Sequence, residues 1–273
     1  MTDKYAVIGN PINHTKSPMI HGSFARVTGQ NIDYRAIEGS LDHFADDVQA
    51  FRKAGGLGMN VTAPFKLQAF ALATERFERA ELAGATNALK FEGDRIIADN
   101  FDGVGLTSDI QRNLGFPLKG ARMLVLGSGG AVRGALLPFL AQQPADLVLV
   151  NRSEAKAADL AAQFAAYGPV RACGYGDLAG ERFDIVINGT SASLKAELPP
   201  VPVEALQDAK LAYELAYGKG LTPFLRLAQN AGVPKLADGV GMLVEQAAEA
   251  FVWWRGVRPD TRSVIACMTV PLV

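Results

Sequence analysis

The stretch Gly120-Ala121-Arg122-Met123-Leu124-Val125-Leu126-Gly127-Ser128-Gly129-Gly130-Ala131-Val132-Arg133-Gly134-Ala135 decides the fold. Met123–Leu126 is a short apolar run of the kind a buried parallel strand needs. It runs straight into Gly127, Gly129 and Gly130, and then into a helical pattern over 131–141. Strand, glycine turn and helix in that order form a phosphate cradle. The glycines let the backbone turn sharply and approach a pyrophosphate, and the helix start offers unpaired N–H groups with a partial positive charge. The next apolar run, 146–150, ends in Asn151-Arg152-Ser153, where the second strand of such a unit meets an adenosine ribose. No acid stands there for a ribose 2′-OH. Arg152 does, with Lys156 one helical turn on, and this pair suits a 2′-phosphate, so NADP is expected over NAD. Gly127, Ser128, Gly129, Gly130, Ala131, Asn151, Arg152, Ser153 and Lys156 are the candidate cofactor-binding residues.

Composition sets the bounds. A chain of 273 residues with 49% hydrophobic content can bury a full core and suggests one large or two ordinary domains. A net charge of −1 argues against a bulk electrostatic grip on nucleic acid or on an anionic membrane. Cys173 and Cys267 lie far apart without metal-type spacing and are expected to be small buried hydrophobes in a reduced, cytoplasmic setting. A strand pattern begins almost at Met1, so no signal peptide is expected, and no apolar stretch approaches membrane-spanning length. His14 and His21 lack partners at metal spacing and read as structural or surface residues, so no metal is expected.

Outward from the glycine turn the chain alternates strand and helix. Strands are expected at 123–126, 147–150, 170–173, 185–188 and 211–214, with helices at 131–141, 154–167 and 222–231; such alternation means a parallel sheet with right-handed crossovers. Upstream, strands are expected at 5–8, 33–37 and 58–61, a hairpin at 87–99 around Gly93-Asp94, and helices at 18–27, 41–53, 66–83 (broken near Thr74) and 104–114. Ser17-Pro18 reads as an N-cap followed by proline at the first helical position. Asp238–Gly241 reads as a flexible turn, and 242–255 as a long helix returning to the first domain, with the apolar tail packing there too. The predicted architecture is α/β with two domains. Residues 1–103 plus 240–273 form an N-terminal α/β substrate domain, residues 104–239 a Rossmann-type doubly wound NADP domain, with a deep cleft between them.

Polar residues gather at the strand ends of the first half: His14, Thr15 and Ser17, then Asn60, Thr62 and Lys66, then Asn87, Asn100 and Asp102. Hydroxyls and amides there suit a small, hydroxyl-rich substrate, since each substrate OH needs a placed donor or acceptor. Lys66 and Asp102 are the pair able to move a proton. Hydride transfer between an alcohol and a nicotinamide leaves a hydroxyl proton to handle, so a base or relay must sit beside the reacting carbon.

Several stretches carry a family resemblance: 5–11, His14-Thr15-Lys16-Ser17-Pro18, Asn60-Val61-Thr62-Ala63-Pro64-Phe65-Lys66, Gly84-Ala85-Thr86-Asn87, 99–105, 127–133, Asn151-Arg152-Ser153, 217–223 and 237–246. With these motifs in this order over nearly its full length, the chain resembles the shikimate dehydrogenase family. The resemblance implies NADP-linked, reversible reduction of 3-dehydroshikimate to shikimate, a step toward chorismate and the aromatic amino acids. It also implies that Lys66 and Asp102 are the catalytic pair and that Thr15, Ser17 and Tyr217 hold the substrate carboxylate. Asn60, Thr62, Asn87 and Gln246 would take the ring hydroxyls, and Leu215 and Gly239 would lie near the nicotinamide. A monomer or homodimer is expected.

Some positions depart from the family pattern. Thr15 stands where Ser is common, Ala88 where Thr is, and Glu214-Leu215 where Asp-Met is. Phe101 replaces the usual Thr before the catalytic Asp, removing a hydroxyl from the substrate side and adding a ring. These changes lead to the expectation of a divergent member with weaker activity or an altered substrate preference. Quinate or an aminoshikimate as substrate, and a non-catalytic NADP-binding regulator on the same fold, stand as alternatives; retention of both Lys66 and Asp102 argues against the regulator.

Overall fold

Tyr5-Ala6-Val7-Ile8 is apolar on both faces, as a central parallel strand must be. In the computed structural model, which describes residues 2–272, this run is the heart of β1 (Asp3–Gly9). The chain continues through α1 (Ser17–Thr28), β2 (Ile32–Glu38), α2 (Phe44–Lys53) and β3 (Gly56–Val61). Then come α3 (Lys66–Leu72), β4 (Glu75–Arg76) and α4 (Glu78–Ala83), so the break near Thr74 carries a two-residue strand. The hairpin β5 (Ala88–Glu92) and β6 (Arg95–Asp99) leads to α5 (Asp102–Ser108). The six strands form one mixed sheet in the order β2-β1-β3-β5-β6-β4. Alternation splits β1 and β3 cleanly: Ala6, Ile8, Met59 and Val61 face Phe44, Val48, Phe51 and Phe65, which leaves Tyr5, Val7 and Asn60 on the opposite face.

The second sheet is wholly parallel. A π-helical turn, Asp109–Asn113, precedes β7 (Arg122–Leu126), α6 (Gly130–Ala141), β8 (Asp146–Val150), α7 (Glu154–Phe164) and β9 (Val170–Cys173). They are followed by β10 (Ile185–Asn188), β11 (Leu211–Glu214), α8 (Pro223–Asn230) and β12 (Lys235–Asp238), then α9 (Val240–Arg255) and α10 (Arg262–Met268). The strand order β12-β11-β10-β7-β8-β9 runs outward in both directions from β7 and β10. This is a doubly wound Rossmann-type sheet whose switch point lies between those two strands.

The chain divides into two compact units, 1–105 with 244–266, and 106–243 with 267–273. The tail is a correction: residues 267–272 group with the second unit, where the apolar Leu272 packs against that unit's core. Met1 and Val273, the ends of the expected first domain, lie outside the described residues.

Three local readings also change. Asp238–Gly241 is not a flexible turn, because Asp238 closes β12 and α9 starts at Val240. Gly241 is glycine because a side chain there would run into the Asp109 carboxylate, which accepts hydrogen bonds from the Tyr213 hydroxyl at 2.7 Å and Asn113 Nδ2 at 2.8 Å. Ser17 is already inside α1 and makes no cap; its N–H instead donates to Thr15 Oγ1 at 3.3 Å. Cys267, on α10, is exposed rather than buried. Among the described residues no helix is long and apolar enough to cross a membrane.

Candidate active site

Lys66 opens α3 and Asp102 opens α5, so both side chains stand at helix starts beside the ends of β3 and β6. Lys66 Nζ donates to Asp102 Oδ2 at 2.5 Å. The lysine side chain is 33% exposed and the aspartate side chain 11%, so the ammonium opens to solvent while its partner is enclosed. Asn87 takes the other carboxylate oxygen, Nδ2 donating to Asp102 Oδ1 at 2.8 Å. The orientation of Asn87 is fixed from behind, because its Oδ1 accepts the Phe101 N–H at 2.9 Å. The same Nδ2 reaches Gln246 Oε1 at 3.2 Å. Asn100 braces the loop by accepting the Asp102 N–H at 3.1 Å and donating to the Ala85 carbonyl at 3.0 Å. Asp102 is thus held at both carboxylate oxygens and its backbone before any ligand arrives.

Asn60 continues the cluster from β3, its Nδ2 donating to the Asn87 carbonyl at 3.3 Å. Thr62 follows at the end of β3, its N–H on the Ile8 carbonyl at 3.0 Å. On the loop before α1, Thr15 Oγ1 donates to Ser17 Oγ at 3.2 Å. Lys66, Asp102, Asn60, Asn87, Gln246, Thr15 and Ser17 therefore belong to the first unit. His14 is exposed, and His21 is completely buried in the aromatic face. Sequence reasoning missed Tyr34, whose hydroxyl donates to Asn60 Oδ1 at 2.7 Å. A tyrosine inside an edge strand carries no sequence signal for such a role.

Phe101 corrects an expectation. Its ring does not enlarge the polar site. It is 4% exposed, packed with Ala88, Ala250 and Trp253, and the Arg79 guanidinium lies 5.4 Å from its centroid. Arg79 is itself held on the buried Asp99 carboxylate at 2.5 Å. The backbone N–H of Phe101 serves the site and its side chain serves the core.

In the second unit, Gly127 directly follows β7 with φ +108°, a conformation that favours glycine. A side chain there would also meet the backbone of Gly189, which directly follows β10, at 3.0 Å. The two switch-point turns therefore lie against each other, and Gly189 is a second residue that sequence reasoning missed. Gly129 and Gly130 differ, since a Cβ on either would meet nothing within 4 Å. Their bareness is not required by the protein's own packing. It leaves open space over the start of α6, which has no side-chain cap, so its first N–H groups fit an approaching phosphate. Ser128 and Ala131 flank this turn, half-buried. Past β8, Asn151 Nδ2 ties the loop to the Ser153 carbonyl at 3.1 Å. Arg152 and Lys156 are exposed and stand apart from the ion pairs that hold Arg122, Arg171 and Arg182. These residues fit a phosphorylated dinucleotide.

Leu215 and Gly239 lie against each other: a side chain on Gly239 would strike the Leu215 carbonyl at 2.2 Å. Tyr217, two residues on, is exposed. Beneath them Glu214 is fully buried, accepting from Asn188 Nδ2 at 2.9 Å and from the Ser193 and Thr222 hydroxyls. Burial raises its carboxyl above the ordinary value, opposed by those hydrogen bonds.

Comparison with known proteins agrees along the whole chain. The profile of the shikimate dehydrogenase substrate binding domain matches residues 7–89. That of shikimate / quinate 5-dehydrogenase matches 109–208, and that of the shikimate 5′-dehydrogenase C-terminal domain matches 239–266. A shikimate dehydrogenase (NADP(+)) of Nitrosospira multiformis is 53% identical over 268 residues, covering 98% of each chain. The crystal structure of an Ael1 enzyme from Pseudomonas putida is similar at 63% identity and TM-score 0.98, covering both chains completely. The shikimate 5-dehydrogenase of Thermus thermophilus, solved with NADP(H) and shikimate, is similar at 29% identity and TM-score 0.86 over 98% of each chain. The chain belongs to the shikimate dehydrogenase family.

Proposed function

We propose that this protein interconverts 3-dehydroshikimate and shikimate, and that the Lys66–Asp102 pair carries the chemistry. NADPH, when bound, supplies the hydride. Lys66 supplies the proton. Of its three N–H donors one is engaged by Asp102 Oδ2, which leaves the others to protonate the substrate carbonyl oxygen as it becomes an alcohol. In the reverse direction the pair accepts the hydroxyl proton. Asp102 keeps Nζ in place, and Asn87 keeps Asp102 from turning away.

Asn60, Thr62, Asn87 and Gln246 are assigned to the ring hydroxyls, and Thr15, Ser17 and Tyr217 to the carboxylate. Gly127, Ser128, Gly129, Gly130 and Ala131 would take the pyrophosphate, Asn151, Arg152, Ser153 and Lys156 the adenosine 2′-phosphate, and Leu215 and Gly239 the nicotinamide. Relatives named as NADP-dependent shikimate dehydrogenases over nearly the whole length favour this reading over a quinate or aminoshikimate enzyme and over a non-catalytic regulator.

The test is steady-state oxidation of shikimate and of quinate, each with NADP and with NAD, followed at the nicotinamide absorbance. Turnover of shikimate with NADP is expected. Turnover of quinate alone would move the substrate, and no turnover with either would overturn the reading.

A further inference from the structure

Tyr34 sits in β2, two strands away from β3, and reaches across β1 to Asn60. Register places Tyr34 beside Tyr5, and Val7 beside Asn60, so the phenol leans diagonally along the face opposite the Phe44–Phe65 core. Its ring is clamped. His21 stacks on it with centroids 4.1 Å apart and planes 7° from parallel. Trp254 lies 6.5 Å away, tilted. His21 is fully buried and neither ring nitrogen has a hydrogen-bond partner, so it packs against Tyr34 as a flat neutral plate.

The Tyr34 hydroxyl therefore has little freedom, and its contact with Asn60 has a direction. The phenol donates to Oδ1. On the other side of the same amide, Nδ2 donates to the Asn87 carbonyl, an oxygen that also accepts the Val61 N–H at 2.8 Å. Rotating the amide by half a turn would set Oδ1 against the Asn87 oxygen, acceptor against acceptor, and remove the acceptor from the phenol. Burial of its hydroxyl pushes the Tyr34 phenol well above its ordinary value, opposed by the neighbouring Ser17 hydroxyl, so the donor proton stays in place.

We propose that Tyr34 is a positioning residue: it locks the Asn60 amide so that an N–H, never the carbonyl, faces the substrate. The substrate group opposite Asn60 must then accept, as a hydroxyl oxygen does, and give its own proton elsewhere. Tyr34 lies between Ser17, assigned to the carboxylate end, and Asn60, assigned to a ring hydroxyl. It thereby sets the spacing between the two ends of the ligand. This role rests on the substrate assignment made above, but the lock itself does not.

Two measurements test it. In Tyr34→Phe the ring and its stacking on His21 remain and the hydroxyl is lost, so the KM for shikimate is expected to rise about fivefold to tenfold. The KM for NADP stays as in the parent, and the melting temperature falls modestly because the buried Asn60 Oδ1 loses its donor. In the Asn60→Ala background the same change should have no further effect on the shikimate KM, because Tyr34 acts through Asn60. An unchanged KM in the single variant, or effects that simply add, would overturn the proposal. The second readout needs no substrate. With asparagine-selective 15N labelling, the Asn60 side-chain amide should give one sharp proton pair in the parent and an exchange-broadened pair in Tyr34→Phe. An unchanged pair overturns the lock even if shikimate is not the substrate; a broadened pair supports the lock whatever the substrate proves to be.

Discussion

The two units prepare for their ligands in opposite ways. In the first, side chains hold side chains: Asp102 is fixed at both carboxylate oxygens, Asn87 at both ends of its amide, and Asn60 likewise. In the second, the surface proposed to face the dinucleotide is mostly backbone, with bare glycines, an uncapped helix start and two exposed cations. Moving a proton requires donors and acceptors set in advance, since reorganisation at the moment of reaction raises the barrier. Gripping a phosphate requires only N–H groups and positive charge at short range. The wired half should therefore respond to substitution in rate, stability and pH dependence, and the bare half in affinity alone.

The sharpest break is Lys66→Ala. It should lower kcat by about 10² to 10⁴, the range for loss of a positioned proton donor, with NADP binding retained. A loss confined to KM would mean that Lys66 binds and does not transfer a proton. Next comes Phe101→Thr. Truncating a ring that is 4% exposed should cost about 3 kcal/mol in denaturant unfolding. A variant as stable as the parent, with altered shikimate kinetics, would restore the view of Phe101 as a pocket residue.

A smaller effect separates the units by pH. All three histidines, His14, His21 and His43, fall in the first unit, and burial pushes His21 down to about 3, with Asn60 nearby opposing the shift. Its folded pKa lies below the unfolded 6.5, so the unfolded chain binds the proton more readily. Stability is full above pH 6.5 and declines as pH falls toward 3, by up to roughly 1.4 kcal/mol per unit. Between pH 7 and 5 the parent should lose about 2 kcal/mol more than His21→Phe does, measured by urea midpoints. Equal losses would show that His21 is not buried as a neutral ring. The smallest expected effect lies in the bare half. Arg152→Ala with Lys156→Ala should raise the KM for NADP roughly tenfold, leaving the KM for NAD, kcat and melting temperature near the parent values.

What was legible in the sequence follows the same division. The glycine turn and the strands beside it could be read because their requirements are local: a short apolar run, a positive φ at Gly127, a helix pattern. Lys66 and Asp102 stood out as chemistry-bearing residues in loops at strand ends. Tyr34 did not, because its partner is 26 residues away and is reached only when β1 is inserted between β2 and β3. Phe101 was misread because its position in sequence places it beside the site, whereas its rotamer turns it under Arg79 and against Trp253. β12 was missed because it is four residues long with a charge at each end. Gly189 escaped because its reason for being glycine is Gly127, a neighbour in space only.

The exposed setting of Arg152 and Lys156 has a consequence for how such an enzyme can change. Neither side chain supports the core, so replacing either would not disturb folding, and the glycine turn would keep its shape. On the cofactor assignment proposed above, choice between the two nicotinamide currencies of a cell is a detachable trait, open to drift or to deliberate exchange in a few surface codons. Substrate choice is embedded differently. On the substrate assignment proposed above, it is written into a lattice of mutually dependent amides, where a single codon change disturbs several neighbours, and should be far slower to revise.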